Sequence, residues 1–335
     1  MSSSQARKTQ AAPAPTGCDN AQRSSPRLLK ITMPDDSVSQ ARIFEPDNGP
    51  TRETKPYRTK QKLSPHSATG DGDKPLVVIW PGFGMGARYF DPMGHELARR
   101  GYLVAGGELR GQGSSTAKAT RKHTWGYHHL ASQDFPITIK AVKKDLGLAN
   151  NYPTVFLCHS LGGQIAPLFF TRKEALELNV QGFLAVGTGS PYYPGYSGLV
   201  RRKLRIGTII IQAIVTIFGY QPAGKLDLTG YGRQAKHVML EWIRFSRSNQ
   251  QRGLLGEDRD YDDAKNGVTI PVLLTRFHTD QDCTRKAAEH LAAGLPNADV
   301  TIEEYPKRLG HNRWAREPQI IAERLEKFVG TLSSP

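Results

Sequence analysis

The sequence predicts an α/β fold, a mostly parallel sheet with helices on both faces, from three features. Strand-like and helical runs alternate through most of the 335 residues, the pattern that a parallel sheet produces. The run "PLVVIW" (75–80) is apolar without alternation, as in a strand covered on both faces. The stretch "NYPTVFLCHSLGGQIAPLFF" (151–170) begins as a strand, turns at a serine and leaves as a helix.

Residues 1–26 are polar and rich in Ser, Ala and Pro, so a disordered leader is expected; they hold no apolar stretch of secretory-signal length. "RLLKITMPDDSVSQARIFE" (27–45) offers two strands around Pro34-Asp35-Asp36, a hairpin. Residues 47–74 read as a linker or long loop. After "PLVVIW", residues 87–101 have helical spacing and end at Gly101, a C-cap. Strands then follow at 102–109, 154–159 and 180–189, with helices at 130–146 and 161–172. A less regular insertion covers 191–268. Beyond it come a strand at 271–277, a helix at 284–293, a strand at 299–305 and a helix at 318–329. The expected division is a leader (1–26), a core in two parts (27–190 and 269–331) and a cap or lid (191–268) inserted after the sixth strand.

The net charge of +14 and pI near 9.7 come from scattered Lys and Arg, with no zinc-finger, RRM or helix-turn-helix signature. Specific nucleic-acid binding is therefore not expected, while attraction to anionic surfaces is. Cys18, Cys158 and Cys283 lie far apart without metal-ligand spacing, and are too few for a disulfide framework. A reducing, cytoplasmic setting is expected.

Reactive groups in parallel sheets gather at the carboxyl ends of strands, where loops meet helix N-termini. Ser160 stands at such an end, in the order Cys158, His159, Ser160, Leu161, Gly162, Gly163. A turn this abrupt brings the residues two before and two after the serine into near contact, which is the reason for the G-x-S-x-G pattern of a nucleophile elbow. Here Cys158 replaces the first glycine. The plainer reading of Ser160 is a cap for the helix that follows.

A serine hydroxyl needs a base and donors for the oxyanion. "WPGFGMG" (80–86) is a small, turning loop after a strand, so the backbone N–H groups of Phe83 and Leu161 are the candidate oxyanion hole. It lacks the Lys-Ser/Thr of a P-loop and the spacing of a dinucleotide site. "PVLLTRFHTDQD" (271–282) supplies Asp280, preferred over Asp282, as the acid, although both could cap the next helix. "RLGHNRW" (308–314) supplies His311 as the base. His123, His128 and His129 lack a firm metal-ligand motif, and packing near the site mouth is expected of them; neither metal nor organic cofactor is expected.

These stretches, with Arg110-Gly111-Gln112-Gly113-Ser114, resemble the α/β-hydrolase superfamily from about residue 27 to 331. A histidine usually precedes the oxyanion-loop glycine there; here it is Pro81. More narrowly, "TWGYHHLASQDFP", "CHSLGGQ" and "IFGYQPAGKL" resemble a bacterial subgroup of predicted hydrolases related to serine aminopeptidase S33 and lysophospholipase-like proteins. The resemblance implies an α/β-hydrolase fold with a helical cap. The chain order Ser160, Asp280, His311 is the nucleophile, acid, base order of that fold.

In the insertion, the apolar core 206–218 is shorter than the roughly 20 residues that span a bilayer, and Arg201, Arg202, Lys203 and Arg205 precede it. It reads either as a lid that walls an apolar pocket and contacts anionic lipid, or as a helix buried against the main domain. The expected activity is hydrolysis of an apolar acyl ester or lipid-like substrate. Aminopeptidase or acyltransferase chemistry on the same residues, or a non-catalytic module that binds lipid or a partner, are the alternatives.

Overall fold

The structure is a computed structural model that describes residues 25–46, 74–227 and 229–332. The expected leader apart from Ser25 and Pro26, the expected linker apart from Lys74, and Cys18 lie outside the described residues.

In chain order the strands are β1 (Arg27–Thr32), β2 (Val38–Phe44), β3 (Leu76–Trp80), β4 (Val104–Gly106), β5 (Thr154–His159), β6 (Val180–Val186), the short β7 (Tyr220–Gln221) and β8 (Gln234–Ala235), β9 (Pro271–Phe277) and β10 (Asp299–Tyr305). The helices are α1 (Asp91–Arg99), α2 (Tyr127–His129), α3 (Phe135–Asp145), α4 (Leu161–Phe170), α5 (Lys173–Glu177), α6 (Gly198–Phe218), α7 (Lys236–Ser248), α8 (Tyr261–Ala264), α9 (Arg285–Ala292) and α10 (Gln319–Leu332). Eight strands form one sheet in the order β1-β2-β4-β3-β5-β6-β9-β10. From β4 to β10 every neighbour is parallel; β1 and β2 are antiparallel to each other and β2 to β4. The turn of the β1–β2 hairpin holds Asp36 at φ 59°, as the Pro34-Asp35-Asp36 signal predicts.

Alternation along β3 shows why its apolar run is continuous. Leu76, Val78 and Trp80 enter one core layer, while Val77 and Ile79 enter the other. The first layer is aromatic at its centre, where Trp80 stacks on Phe135 with ring centroids 3.8 Å apart. The second gathers Phe90, just before α1, with Leu97, Leu184, Trp314 and Leu325 from α1, β6 and the C-terminal segment. Register then fixes the site: Trp80 pairs with Cys158, His159 with Val186, Val186 with Thr275, and Tyr305 with Phe277. The loops after β3, β5, β6, β9 and β10 therefore leave one edge of the sheet together.

Several boundaries differ from expectation. The strand expected at 102–109 keeps only three residues as β4. The strand expected to reach 189 stops at Val186, because Gly187 turns with φ 62°. The helix expected at 130–146 opens with a π-helical turn, Leu130–Asp134, whose last residue is drawn into an ion pair. The insertion is more regular than expected. Its basic residues are the first turns of the 21-residue α6, and not a flank outside it. Among the described residues no helix is long and apolar enough to cross a membrane.

Asp134 is fully buried and accepts from the Arg110 backbone N–H at 2.9 Å and from its guanidinium at 2.8 and 3.2 Å. This joins the loop after β4 to the start of α3. Removing one member of a buried pair strands the other charge. Because Arg110 also reaches Asp35 Oδ2 at 3.4 Å and Gln133 Oε1 at 2.9 Å, Asp134→Ala is expected to lower unfolding free energy by about 3 kcal/mol, the low end for a broken buried pair, measured by urea denaturation.

Candidate active site

Ser160 links β5 to α4 with φ 47° and ψ −112°, outside the regions that a serine usually occupies. Its side chain makes no capping hydrogen bond to α4, which argues against the plain cap reading. The turn is crowded on every side. A Cβ on Gly82 would lie 2.9 Å from Ser160 Cβ, one on Gly162 would lie 2.7 Å from Trp80 O, and one on Gly163 would lie 2.5 Å from Thr188 Oγ1. Cys158, in the place of the usual glycine, is buried in the Trp80 core layer, and burial pushes its thiol well above the ordinary range. It fills space there as a small neutral group.

Asp280 and His311 meet across 31 positions of sequence: His311 Nδ1 lies 2.9 Å from Asp280 Oδ2. The other carboxylate oxygen accepts from the N–H groups of Asp282 and Cys283 at 2.9 and 3.0 Å, closing the turn after β9. The helix that follows is capped by Thr284, which accepts from Ala287 N, and not by either aspartate. Burial pulls the His311 pKa down, but the Asp280 hydrogen bond and charge and the charge of Asp282 outweigh it, and the net shift is upward. With Nδ1 engaged, Nε2 is the nitrogen that has no hydrogen-bond partner among the described residues. Ser160 and His311 line the same two cavities. Gly187 lies beneath the pair, where a Cβ would sit 3.0 Å from both Asp280 Oδ2 and His311 Nδ1.

The Phe83 and Leu161 N–H groups have no protein acceptor among the described residues. The loop that carries Phe83 is braced from the segment after β4. Gly84 N donates to Gln112 Oε1, and Ala87 N donates to Glu108 Oε1 at 3.0 Å. Glu108 also accepts from Ser114 N and Oγ at 3.0 and 3.1 Å, and burial pushes its pKa up to about 7. His159 forms a second brace. Its Nδ1 donates to Val186 O at 2.9 Å and its Nε2 lies 3.0 Å from the Asn312 side-chain amide, tying the serine turn to the loop of His311. Burial first, then the neighbouring His311, pull the His159 pKa down to about 3, so it stays uncharged. Gln112 stands in the quoted glycine-rich loop, yet nothing local announced its partner, nor those of Glu108, His159 and Asn312.

The inner cavity, about 80 Å³, is walled by Pro191, Tyr196, Trp242 and by Val200 and Leu204 of α6. The outer one, about 520 Å³, is lined by Met85, Tyr89, Thr229 and Asn312. Phe83, Tyr231 and Asp282 border both. The Tyr231 ring stacks on Phe83 at 4.8 Å, in a loop whose N–H groups at Thr229, Gly230 and Gly232 converge on Asp227. An Asp282 carboxylate oxygen lies within 4.8 Å of the Asp280–His311 pair.

His123, His128 and His129, expected to pack near the site mouth, line neither cavity. His123 contacts Asp35 at 3.1 Å, His128 contacts Tyr261 OH at 2.8 Å, and His129 accepts from Gly126 N at 3.3 Å. Each is used in a separate hydrogen bond.

The comparisons agree with this architecture. The model of a family described as serine aminopeptidase, S33, matches residues 72–212. No curated protein sequence matches the chain. Among solved structures, a soluble variant of monoglyceride lipase from Saccharomyces cerevisiae, in complex with a substrate analog, superposes with TM-score 0.64 at 14% identity, covering 97% of this chain and 100% of that one. A membrane phospholipase A, described as a bacterial virulence factor, gives TM-score 0.57 at 14% identity, with 93% and 88% covered. An esterase from Exiguobacterium antarcticum gives 0.50 at 19% identity, with 90% and 98% covered. The chain has the α/β-hydrolase fold.

The His311 shift is open to direct measurement. An NMR titration of the imidazole is expected to give a pKa above the usual value of 6.5 in the native protein. In Asp280→Asn the pKa should fall below 6.5, because burial then acts against a weakened opposing charge.

Proposed function

We propose that this protein is a serine hydrolase that cleaves a carboxylic ester with an apolar acyl group. The observation that supports it best is the 2.9 Å His311–Asp280 contact at the edge of two cavities onto which the strained Ser160 also opens. In this reading His311 Nε2 takes the Ser160 proton as Oγ attacks the ester carbonyl. Asp280 keeps Nδ1 protonated and stabilises the imidazolium. The N–H groups of Phe83 and Leu161 receive the oxyanion, each such donor being worth roughly 10²–10³-fold in rate. The imidazolium then protonates the leaving alcohol, and water, activated by the same base, releases the acid.

Cavity size supports a short acyl group in the inner pocket, with the alcohol portion in the wider one. About 80 Å³ is roughly half of the ~150 Å³ cavity that takes benzene. Asp282 favours a second reading. Its carboxylate borders both cavities and accepts no hydrogen bond from a described residue, so a substrate ammonium would suit it, as in an aminopeptidase. The unpaired, buried Cys158 and Cys283 fit a reducing compartment such as the cytoplasm.

Ser160→Ala should lower kcat for p-nitrophenyl esters by about 10⁴-fold or more and abolish fluorophosphonate labelling. Retention of either signal removes Ser160 from this role. Across a p-nitrophenyl ester series, short acyl chains should give the highest kcat/KM. Leu204→Ala should shift the ratio toward longer chains by about tenfold. Faster turnover of amino-acyl p-nitroanilides than of any ester would replace the esterase reading by the aminopeptidase one.

A further inference from the structure

The most anomalous surface of the molecule is the outer side of α6. Leu199, Ile206 and Ala213 are spaced by seven, as are Ile210 and Ile217, so with Ile209 they share one face at 3.6 residues per turn. That face is turned to solvent: Leu199 is 73% exposed, Ile209 63% and Ile217 63%. The opposite face, Leu204, Thr208, Ile211 and Val215, packs inward. A surface helix ordinarily shows polar residues to water. Here both faces are apolar, so the expectation of a buried helix holds for one side only.

The charges around this face say what would cover it. α6 contains no acidic residue, while Arg202 and Lys203 lie on the exposed arc, Arg205 lies at its margin and Arg201 lies toward the side of Thr208 and Val215. None of the four takes part in an ion pair among the described residues, although Arg201 and Arg205 sit 5.6 and 5.5 Å from the Tyr193 ring. A second copy of a chain with net charge +14 would bring two such clusters together, which opposes self-association here. No described helix can cross a bilayer, so the geometry is that of a helix lying in the interfacial plane.

We infer that the exposed apolar face of α6, with Arg202 and Lys203 at its start and Arg205 at its margin, docks the protein on an anionic lipid surface. The isoleucines enter the acyl boundary while the cations meet lipid phosphates. The inference stands on α6 alone and does not require Ser160 chemistry, although Val200 and Leu204 of the same helix wall the inner cavity.

The test is co-sedimentation of the full chain with phosphatidylglycerol/phosphatidylcholine vesicles and with phosphatidylcholine vesicles. Binding to the mixed vesicles is expected, with weak binding to the neutral ones and loss at high salt. The triple variant Ile206→Ser, Ile209→Ser, Ile217→Ser should bind about tenfold or more weakly, with unchanged circular dichroism because the altered side chains are exposed. Arg202→Gln with Lys203→Gln should show a similar loss. Ser160→Ala should bind like the native protein, which separates this result from the hydrolase reading. Four outcomes would overturn the inference: no vesicle binding, equal binding to both vesicle types, undiminished binding of the triple serine variant, or light scattering that shows native dimers and a monomeric triple variant.

Discussion

The site depends on one steric constraint, the closeness of packing around Ser160. A serine at φ 47° is unfavourable by itself, and such conformations persist only when the surroundings over-determine them. Here Gly82, Gly162 and Gly163 let three backbone segments approach within distances that no side chain would permit. Backbone hydrogen bonds from Ser160 N to Val186 O at 3.3 Å and from Gly162 N to Pro81 O at 3.1 Å lock the turn to β6 and to the β3 loop. The same contacts bring the hydroxyl-bearing turn and the Phe83 and Leu161 N–H groups, which have no acceptor among the described residues, to one sheet edge.

Around that turn the other loops are held by buried polar side chains that each serve two elements. Glu108 and Gln112 fix the Phe83 loop to the segment after β4, and His159 fixes the His311 loop through Asn312. Uncharged His159 lies with its ring centroid 4.7 Å from that of His311, so it adds no repulsion to a protonated neighbour. Asp280 divides its two oxygens between the β9 turn and His311, and so positions the imidazole and the loop at once.

Much of this was legible in the sequence because it is local. Continuous apolar runs marked β3 and β5, the small residues after them marked turns, and the places of Asp280 and His311 after β9 and β10 marked two side chains that meet at 2.9 Å. What was not legible is long-range or two-sided. No pattern near Glu108 says that it will accept from Ala87, and hydropathy of 206–218 could not tell that α6 turns one apolar face inward and the other outward. The Tyr231 stack on Phe83 likewise joins the insertion to the β3 loop across a distance that local sequence does not encode.

The φ of 62° at Gly187 is strained for any residue with a side chain, and a Cβ there would sit 3.0 Å from both the carboxylate and the imidazole, so either would have to give by a few tenths of an ångström. A methyl group at this one position would therefore press on the acid and the histidine together, which ties the backbone angle of a single glycine to the spacing of the couple.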